Sequence, residues 1–242
     1  MRTEISKKIL VIIPCYNEEK NVIALSEKLS KVAITGCSIV PLFINDSSKD
    51  NTLKVLREAG LNYLNNPINL NIGGTVQTGF FYAYKNGFDY AVQMDGDGQH
   101  PPAELNKLIE PLMDDKADVI IGSRFVSKEG FQSSAMRRFG INFFSKLNKL
   151  LVGITVKDPT SGYRDYNRKA LAELIEYYPD EYPEPEAIVY LCNKKMRLLE
   201  VPVLMEERQG GVSSIRHFNS IYYMIKVSLN SIFLHLKMKL NG

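Results

Sequence analysis

Cysteine is scarce and unpatterned in this 242-residue chain: the three residues Cys15, Cys37 and Cys192 are widely spaced and form no C-x-x-C pair. That excludes a disulfide framework and a thiolate metal cage, and it points to a reducing compartment. A surplus of one charge is missing too, since 30 Lys+Arg face 27 Asp+Glu for a formal net charge of +3. Nucleic acid is therefore not an expected partner. With 45% hydrophobic residues the chain is no acidic or disordered tail, and its length suits one globular domain with a buried core. A secretory leader is not expected either. Lys7 and Lys8 precede an apolar run of only residues 9–13, closed by Pro14, which is shorter than the hydrophobic region of a secretory signal. The run reads as a strand and the protein as cytosolic, so Asn45-Asp46-Ser47 is not read as a glycosylation acceptor. There is no internal repeat and no low-complexity linker.

What is present is alternation. The β-branched run 9–13 is continuous, as a strand buried on both faces must be. Asn17 before Glu18 and Glu19 predicts a helix start, with the helix running to about residue 33. Residues 39–44 read as a strand that Pro41 confines to an edge or bulge, and 52–59 as a short helix stopped by Gly60. Strands are expected at 61–64, 91–94 and 119–121, with helices at 75–85 and 104–113. Strand and helix in turn predict an α/β fold, a mostly parallel sheet with helices on both faces. Ligands of such sheets sit beyond the carboxyl ends of the strands. Those positions hold residues 16–18, 45–50 and 95–100, all rich in carboxylates and amides. Beyond them lie a basic amphipathic stretch at 135–151, a loop at 157–165 and a strand at 198–204.

The sharpest of the three segments is Asp95-Gly96-Asp97-Gly98-Gln99-His100-Pro101-Pro102. Two acids one small residue apart, after a buried strand, can aim oxygen ligands at one hard cation, Mg²⁺ or Mn²⁺, whose shell a diphosphate completes. A plain polar turn is the competing reading. His100 is placed either to approach the cation or to cap that turn, and the structural role is expected because Pro101 and Pro102 fix the chain there. The segment 45–52 either caps a helix through Ser48 or Asp50, or offers Asp46 to a base or ribose. Gly73, Gly74 and Gly79 lack G-x-G-x-x-G spacing and mark a close approach to a ligand or a tight turn into a helix.

Six ordered motifs, P-x-Y-N-E (14–18), N-D-S-S-x-D (45–50), D-G-D-G-Q-H-P-P (95–102), G-S-R-F (122–125), D-P-T-S-G-Y-R (158–164) and R-x-x-G-x-S (208–213), span most of the chain. Together they resemble the family 2 glycosyltransferases, most closely the branch of dolichol- and polyprenyl-phosphate sugar synthases. The resemblance implies a GT-A, Rossmann-like domain that transfers a sugar with inversion from a nucleoside diphosphate sugar, using a divalent cation. By motif, Pro14, Tyr16, Glu18 and Asp46 would hold the nucleoside, and Asp95, Asp97 and Gln99 the metal and diphosphate, with Gly96 between the acids. Arg124 would hold the donor, and Arg208 with the loop Gly211 to Ser213 would close over the phosphates. Arg137 and Arg164 would meet the acceptor phosphate, and Asp97, Asp158 and Arg208 form the expected catalytic set. Two positions depart from the branch: Ser214 stands where Lys usually follows the R-x-x-G-x-S motif, and Ile141 stands where a serine usually follows Arg137 at four residues.

The acceptor decides the chemistry needed. A sugar hydroxyl requires a positioned general base, for which Asp158 is the first candidate and Glu184 or Glu186 in the acidic, tyrosine-rich loop at 177–186 the second. A lipid phosphate, with a second pKa of about 6, is already a nucleophilic anion; Asp158 would then only orient neighbours such as Arg164. The expected acceptor is a polyprenyl phosphate at the cytoplasmic face of the cell membrane. The alternatives are a hydroxyl of a lipid-linked glycan, or a silent nucleotide-sugar-binding subunit of a membrane complex. Residues 135–151 place Arg137, Arg138, Lys146 and Lys149 among apolar residues, suiting either a membrane surface or a core-packed helix. In the tail, Phe218, Ile221, Ile225, Leu229, Ile232, Leu236 and Leu240 share a helical face, but Lys226 and His235 leave it short of the roughly 20 apolar residues of a spanning helix. Expected units are 1–217, with a donor half to about 125 and an acceptor half at 126–217, and an interfacial helix at 218–242 that docks on the membrane, a membrane subunit or a second copy.

Overall fold

A computed structural model describes residues 6–127, 135–207 and 217–240. The first strand, β1 (Lys7–Cys15), lies inside the sheet, and its run alternates between two cores. Ile9, Val11 and Ile13 face one side, Leu10 and Ile12 the other, and all five are fully buried. Each such side chain contributes about 1.5–3 kcal/mol of hydrophobic stabilisation. β1 pairs in parallel with β2 (Cys37–Asn45) and with β4 (Tyr90–Gln93), and β2 with β3 (Tyr63–Asn65). Pro41 lies in β2 where β3, which reaches only Phe43 to Asn45, does not pair; the Phe43 N–H points to that side, so the N–H that Pro41 lacks would have pointed there too. The expected edge position is met.

β5 (Val119–Ser123), β6 (Arg164–Asn167) and β7 (Leu198–Pro202) complete the order β3-β2-β1-β4-β6-β5-β7. β6 is antiparallel to both neighbours and every other pair is parallel. One core lies beneath α1 (Val22–Ser30), α2 (Thr52–Glu58) and α4 (Leu105–Met113). The other lies beneath α3 (Asn71–Lys85), α6 (Arg168–Glu176) and α7 (Pro183–Asn193). Two further helices, α5 (Ala135–Val152) and α8 (His217–Leu240), meet each other and both pack on α7. Among the described residues no helix is long and apolar enough to cross a membrane.

Four expectations need correction. Asn17 does not cap α1: its φ is +59°, and α1 begins only at Val22 after Asn21. Residues 164–167 form β6, overlapping the end of the expected loop at 157–165; the sequence R-D-Y-N hides a strand because Arg164 and Asp165 are themselves buried. The acidic loop at 177–186 gives way to α7 from Pro183, with Glu184 and Glu186 in its first turn. Gly73, Gly74 and Gly79 lie inside α3, where a Cβ on Gly79 would meet Ile12 of β1 and one on Gly73 the carbonyls of Pro179 and Asp180. Their close approach is to the protein's own chain.

Asp165 of β6 is fully buried, and neither carboxylate oxygen has a hydrogen-bond partner among the described residues. Burial pushes its pKa well above the usual carboxylate range, because low dielectric penalises the charged form. A folded pKa above the unfolded one contributes stability that is complete below the unfolded pKa and is lost as pH rises through the folded value. Asp165→Asn is therefore expected to melt higher than wild type at pH 8, with the gap closing toward pH 4. Melting curves across that range test it, and a pH-independent difference would refute it.

Candidate active site

All the parallel strands end at one edge of the sheet, and β6, running the other way, begins there. Cys15, Asn45 and Gln93 close β1, β2 and β4, Ser123 closes β5, and Arg164 opens β6. The chain order reverses between β1 and β4, which makes their crevice the switch point where ligands of open α/β sheets bind. Residues 14–18, 45–52, 95–100 and 157–163 all gather at this edge.

On the β1–β2 side two loops are laced together. Asn17 N–H donates to Ser48 Oγ at 3.0 Å, and Asn17 Oδ1 accepts from the Lys49 N–H at 2.8 Å. Thr52 Oγ1 accepts from the Glu18 N–H at 2.8 Å, while Glu19 Oε2 accepts from the Asn51 N–H at 3.0 Å. Ser48 therefore serves the opposite loop rather than capping α2, and Asp50 Oδ1 accepts from the Thr52 N–H in the capping role. Asp46 is buried and oriented, its Oδ1 accepting from the Leu70 N–H at 2.8 Å and from Asn66 Nδ2 at 3.0 Å. Pro14 and Glu18 are buried beside it, and Tyr16 stands 43% exposed. These bonds tie the two loops into one polar surface with the exposed ring of Tyr16 beside it.

The acidic loop after β4 is held from three directions. His100 Nδ1 accepts from the Asp95 N–H at 2.9 Å, and its ring stacks on Tyr163 at 4.8 Å. The expected turn-capping role of His100 is what its geometry provides. Asp97 is buried, and its Oδ1 accepts from the Gln99 N–H at 3.0 Å. A Cβ on Gly96 would lie 3.0 Å from the Pro14 carbonyl, and one on Gly162 would lie 3.3 Å from Asp95 Oδ1. Gly162, which nothing in its own spacing had singled out, thus seats the 158–164 segment against the acidic pair. Among the described residues no three His, Cys, Asp or Glu side chains converge as a metal cage. Two carboxylates and an amide at one turn fit a hard divalent cation that draws its remaining oxygens from a diphosphate and water. The Gln99 carbonyl accepts from the Glu206 N–H at 3.0 Å, so the segment leading to residue 208 sets out from this loop. Arg208, Gly211, Ser213, Ser214 and Arg216 lie outside the described residues.

On the far side Arg124 and Asp158 form a buried pair. Arg124 donates from Nε and from Nη2 to the two carboxylate oxygens at 2.7 Å each, and its N–H donates to Oδ2 at 3.2 Å. Asp158 is fully buried and Arg124 nearly so. Glu200 of β7 accepts the N–H groups of Lys157 and Asp158 at 2.7 and 2.8 Å, fixing the turn. Sequence reasoning missed Glu200, which sits in a strand with no motif around it. For a phosphate acceptor Asp158 is expected to orient neighbours such as Arg164; the side chain it holds is Arg124. Arg164 is fully buried and donates from Nε to the Ser161 carbonyl and from Nη2 to the Pro159 carbonyl, both at 2.8 Å. It staples the 158–164 loop from beneath. Arg137 lies in α5, its side chain outside those described. Glu186 is buried against Tyr177, whose hydroxyl donates to it, and burial raises its pKa; it lines a separate polar hollow of about 380 Å³ with Gln77, Asp180 and Lys226.

Comparison with known proteins bears on the family and the fold. The model of the family described as Glycosyl transferase family 2 matches residues 10–175. A UDP-N-acetylglucosamine–dolichyl-phosphate N-acetylglucosaminyltransferase of Methanococcus voltae is 32% identical over 217 residues, covering 81% of this chain and 85% of the relative. A polyprenol monophosphomannose synthase of Mycolicibacterium smegmatis is 28% identical, covering 92% and 86%. Among solved structures, glucosyl-3-phosphoglycerate synthase of Mycobacterium tuberculosis, in complex with Mn²⁺, UDP and glucosyl-3-phosphoglycerate, superposes with a TM-score of 0.70 at 15% identity, covering 95% of this chain and 80% of that one. At that identity the likeness is one of fold, and the fold is the expected GT-A arrangement.

Proposed function

Because the chain belongs to the family 2 glycosyltransferases, we propose that it moves a sugar from a nucleoside diphosphate sugar to a polyprenyl phosphate, with inversion, at the inner face of the cell membrane. The relatives named above carry lipid phosphates in their names and match most of both chains. The observation that carries the choice of acceptor is the Arg124–Asp158 pair. With both oxygens held at 2.7 Å by a guanidinium, Asp158 is poorly placed to take a proton from a sugar hydroxyl. Glu186 lies in a separate hollow and is hydrogen bonded to Tyr177. A phosphate acceptor needs neither, because it arrives as an anion.

In this reading Pro14, Tyr16, Glu18 and Asp46 receive the nucleoside. Asp95, Asp97 and Gln99 would hold Mg²⁺ or Mn²⁺, which supplies positive charge where the departing diphosphate gathers negative charge. Arg208 and Ser213 close over the same phosphates and Arg137 meets the acceptor. Asp158, Glu200 and Arg164 act as positioning residues, fixing the loop that packs on Asp95 through Gly162. The test offers purified protein one labelled nucleotide sugar with either a polyprenyl phosphate or the matching polyprenol. Label should enter the phosphate alone, at a rate that rises as pH passes about 6, where the acceptor loses its second proton. Transfer to the alcohol, or to a glycan hydroxyl only, would overturn the acceptor assignment; no transfer to any acceptor would favour a silent binding subunit.

A further inference from the structure

Between α3, α7 and α8 lies the polar hollow of about 380 Å³, bounded by Gln77, residues 176–181, Glu186, and Lys226 and Asn230. Four carboxylates line it, those of Glu176, Asp180, Glu181 and Glu186, against the one ammonium of Lys226, which is already paired with Glu181 at 2.6 Å. Glu186 is 2% exposed, and although the Tyr177 hydroxyl donates to its Oε1, its Oε2 has no hydrogen-bond partner among the described residues. Asn230 approaches it from α8 without reaching hydrogen-bond geometry with that oxygen. Burial raises the Glu186 pKa and the Asp180 carboxylate adds to the rise, as expected of an acid short of a positive partner. The neutral groups of the lining add further acceptors. Gln77 Nε2 donates to the Leu174 and Ile175 carbonyls at 3.3 and 3.5 Å, which leaves its Oε1 uncommitted among the described residues. The Tyr177 and Tyr178 hydroxyls donate their protons to Glu186 and Gln93 and keep only lone pairs.

We infer that this hollow binds a small organic cation with several N–H donors, a primary alkyl amine or diamine, whose ammonium group donates to Glu186 Oε2 and whose charge answers the excess of carboxylates. The lining is rich in acceptors and in negative charge, so an anion would be repelled and a ligand without donors would leave the buried oxygen unmatched. A metal ion fits the geometry less well. A hard cation draws about six to eight oxygens around one point, and among the described residues no three His, Cys, Asp or Glu side chains converge in that way. An ammonium group needs only three acceptors, at hydrogen-bond distances, and a chain with one at each end reaches carboxylates that are set apart. The volume falls in the range of about 300–1,000 Å³ typical of small-molecule sites. The walls are tied into the frame of the fold: the Asp180 carbonyl accepts from the Gly73 N–H of α3 at 3.0 Å, and Tyr178 donates at 3.1 Å to Gln93, the last residue of β4. The inference goes beyond the transfer reading, and its test contains neither nucleotide nor acceptor, so its failure would leave that reading untouched.

Full-length protein is melted with putrescine and, at matched ionic strength, with the diol of the same chain length, with tetramethylammonium and with Mg²⁺. At about ten times its Kd putrescine should raise Tm by about 3–6 °C. The diol, which lacks charge, and tetramethylammonium, which lacks N–H donors, should leave Tm where it was. Glu186→Gln retains an acceptor for Tyr177 and nearly the same volume, so the free variant should melt no lower than wild type, and calorimetric titration should show putrescine bound at least about tenfold more weakly. Asp180→Asn alters an exposed side chain whose carboxylate the fold does not use and should weaken binding by about two- to fivefold; it decides the matter alone if Glu186→Gln is unstable. An equal shift with tetramethylammonium or Mg²⁺ would mean that the acids are merely screened. That result, no shift with putrescine, or wild-type affinity in a folded variant would overturn the assignment.

Discussion

Asp97→Ala is expected to abolish a metal-dependent stabilisation of this protein by nucleoside diphosphates. A ligand that binds only the folded state at 100 times its Kd adds about 2.7 kcal/mol. For a chain of this length that raises Tm by roughly 5–10 °C. On the proposed reading the shift should depend on the metal, because two carboxylates and a diphosphate would share one cation and Asp97→Ala would remove one of its ligands. Asp97 also closes the turn by accepting the Gln99 N–H at 3.0 Å, so Asp97→Ala alone confuses lost charge with lost structure. Asp97→Asn retains that acceptor and nearly the same volume while removing the charge. It is expected to keep the melting temperature of the free protein within a degree or two and still lose the Mn²⁺-dependent part of the shift. Thermal melts with UDP and GDP, each with Mn²⁺ or with a chelator, decide the matter. An equal shift in chelator, or an undiminished one in Asp97→Asn, would show that the acidic pair holds no metal.

The parts of this site that are legible in the sequence are those in which local chemistry and tertiary placement coincide. The run 9–13 announced a doubly buried strand because both faces of β1 are covered, and the acids and amides after three strands could be placed at one sheet edge by topology alone. Two features fall outside that logic. β6 carries Arg164 and Asp165 where a strand is expected to carry apolar residues, since it crosses between β4 and β5 with its polar groups sealed in. Glu200 acts on a loop 42 residues away in sequence, through two backbone N–H groups, and no local pattern encodes such a contact. The tail shows a third kind of difference. Its apolar periodicity is visible in the sequence, but which side turns inward depends on the surface it meets, and that surface takes Tyr223, Met224, Val227, Ser231, Leu234, His235 and Met238.

Asp158→Asn carries the largest expected stability loss. Breaking a buried ion pair by neutralising one partner leaves the other charge uncompensated in a low dielectric and costs about 3–5 kcal/mol. Here the residual charge is Arg124, whose side chain is 4% exposed and which would keep one acceptor oxygen of the amide in place of the two carboxylate oxygens. A Tm lower by roughly 6–20 °C is expected, and the double variant Arg124→Met/Asp158→Asn should recover part of it, because removing both charges restores neutrality. Kinetics separate positioning from proton transfer. A general base contributes about 10²-fold or more, so if Asp158 were the base, Asp158→Asn would lose that factor even well below its Tm, along with the acid limb of its pH profile. If Asp158 only positions Arg124 and the 158–164 loop, transfer to a polyprenyl phosphate at such a temperature should fall by less than about tenfold and retain its acid limb, because that limb belongs to the acceptor phosphate with its pKa near 6. An unchanged Tm together with a hundredfold loss of rate would reverse both conclusions, making Asp158 the base and a hydroxyl the nucleophile.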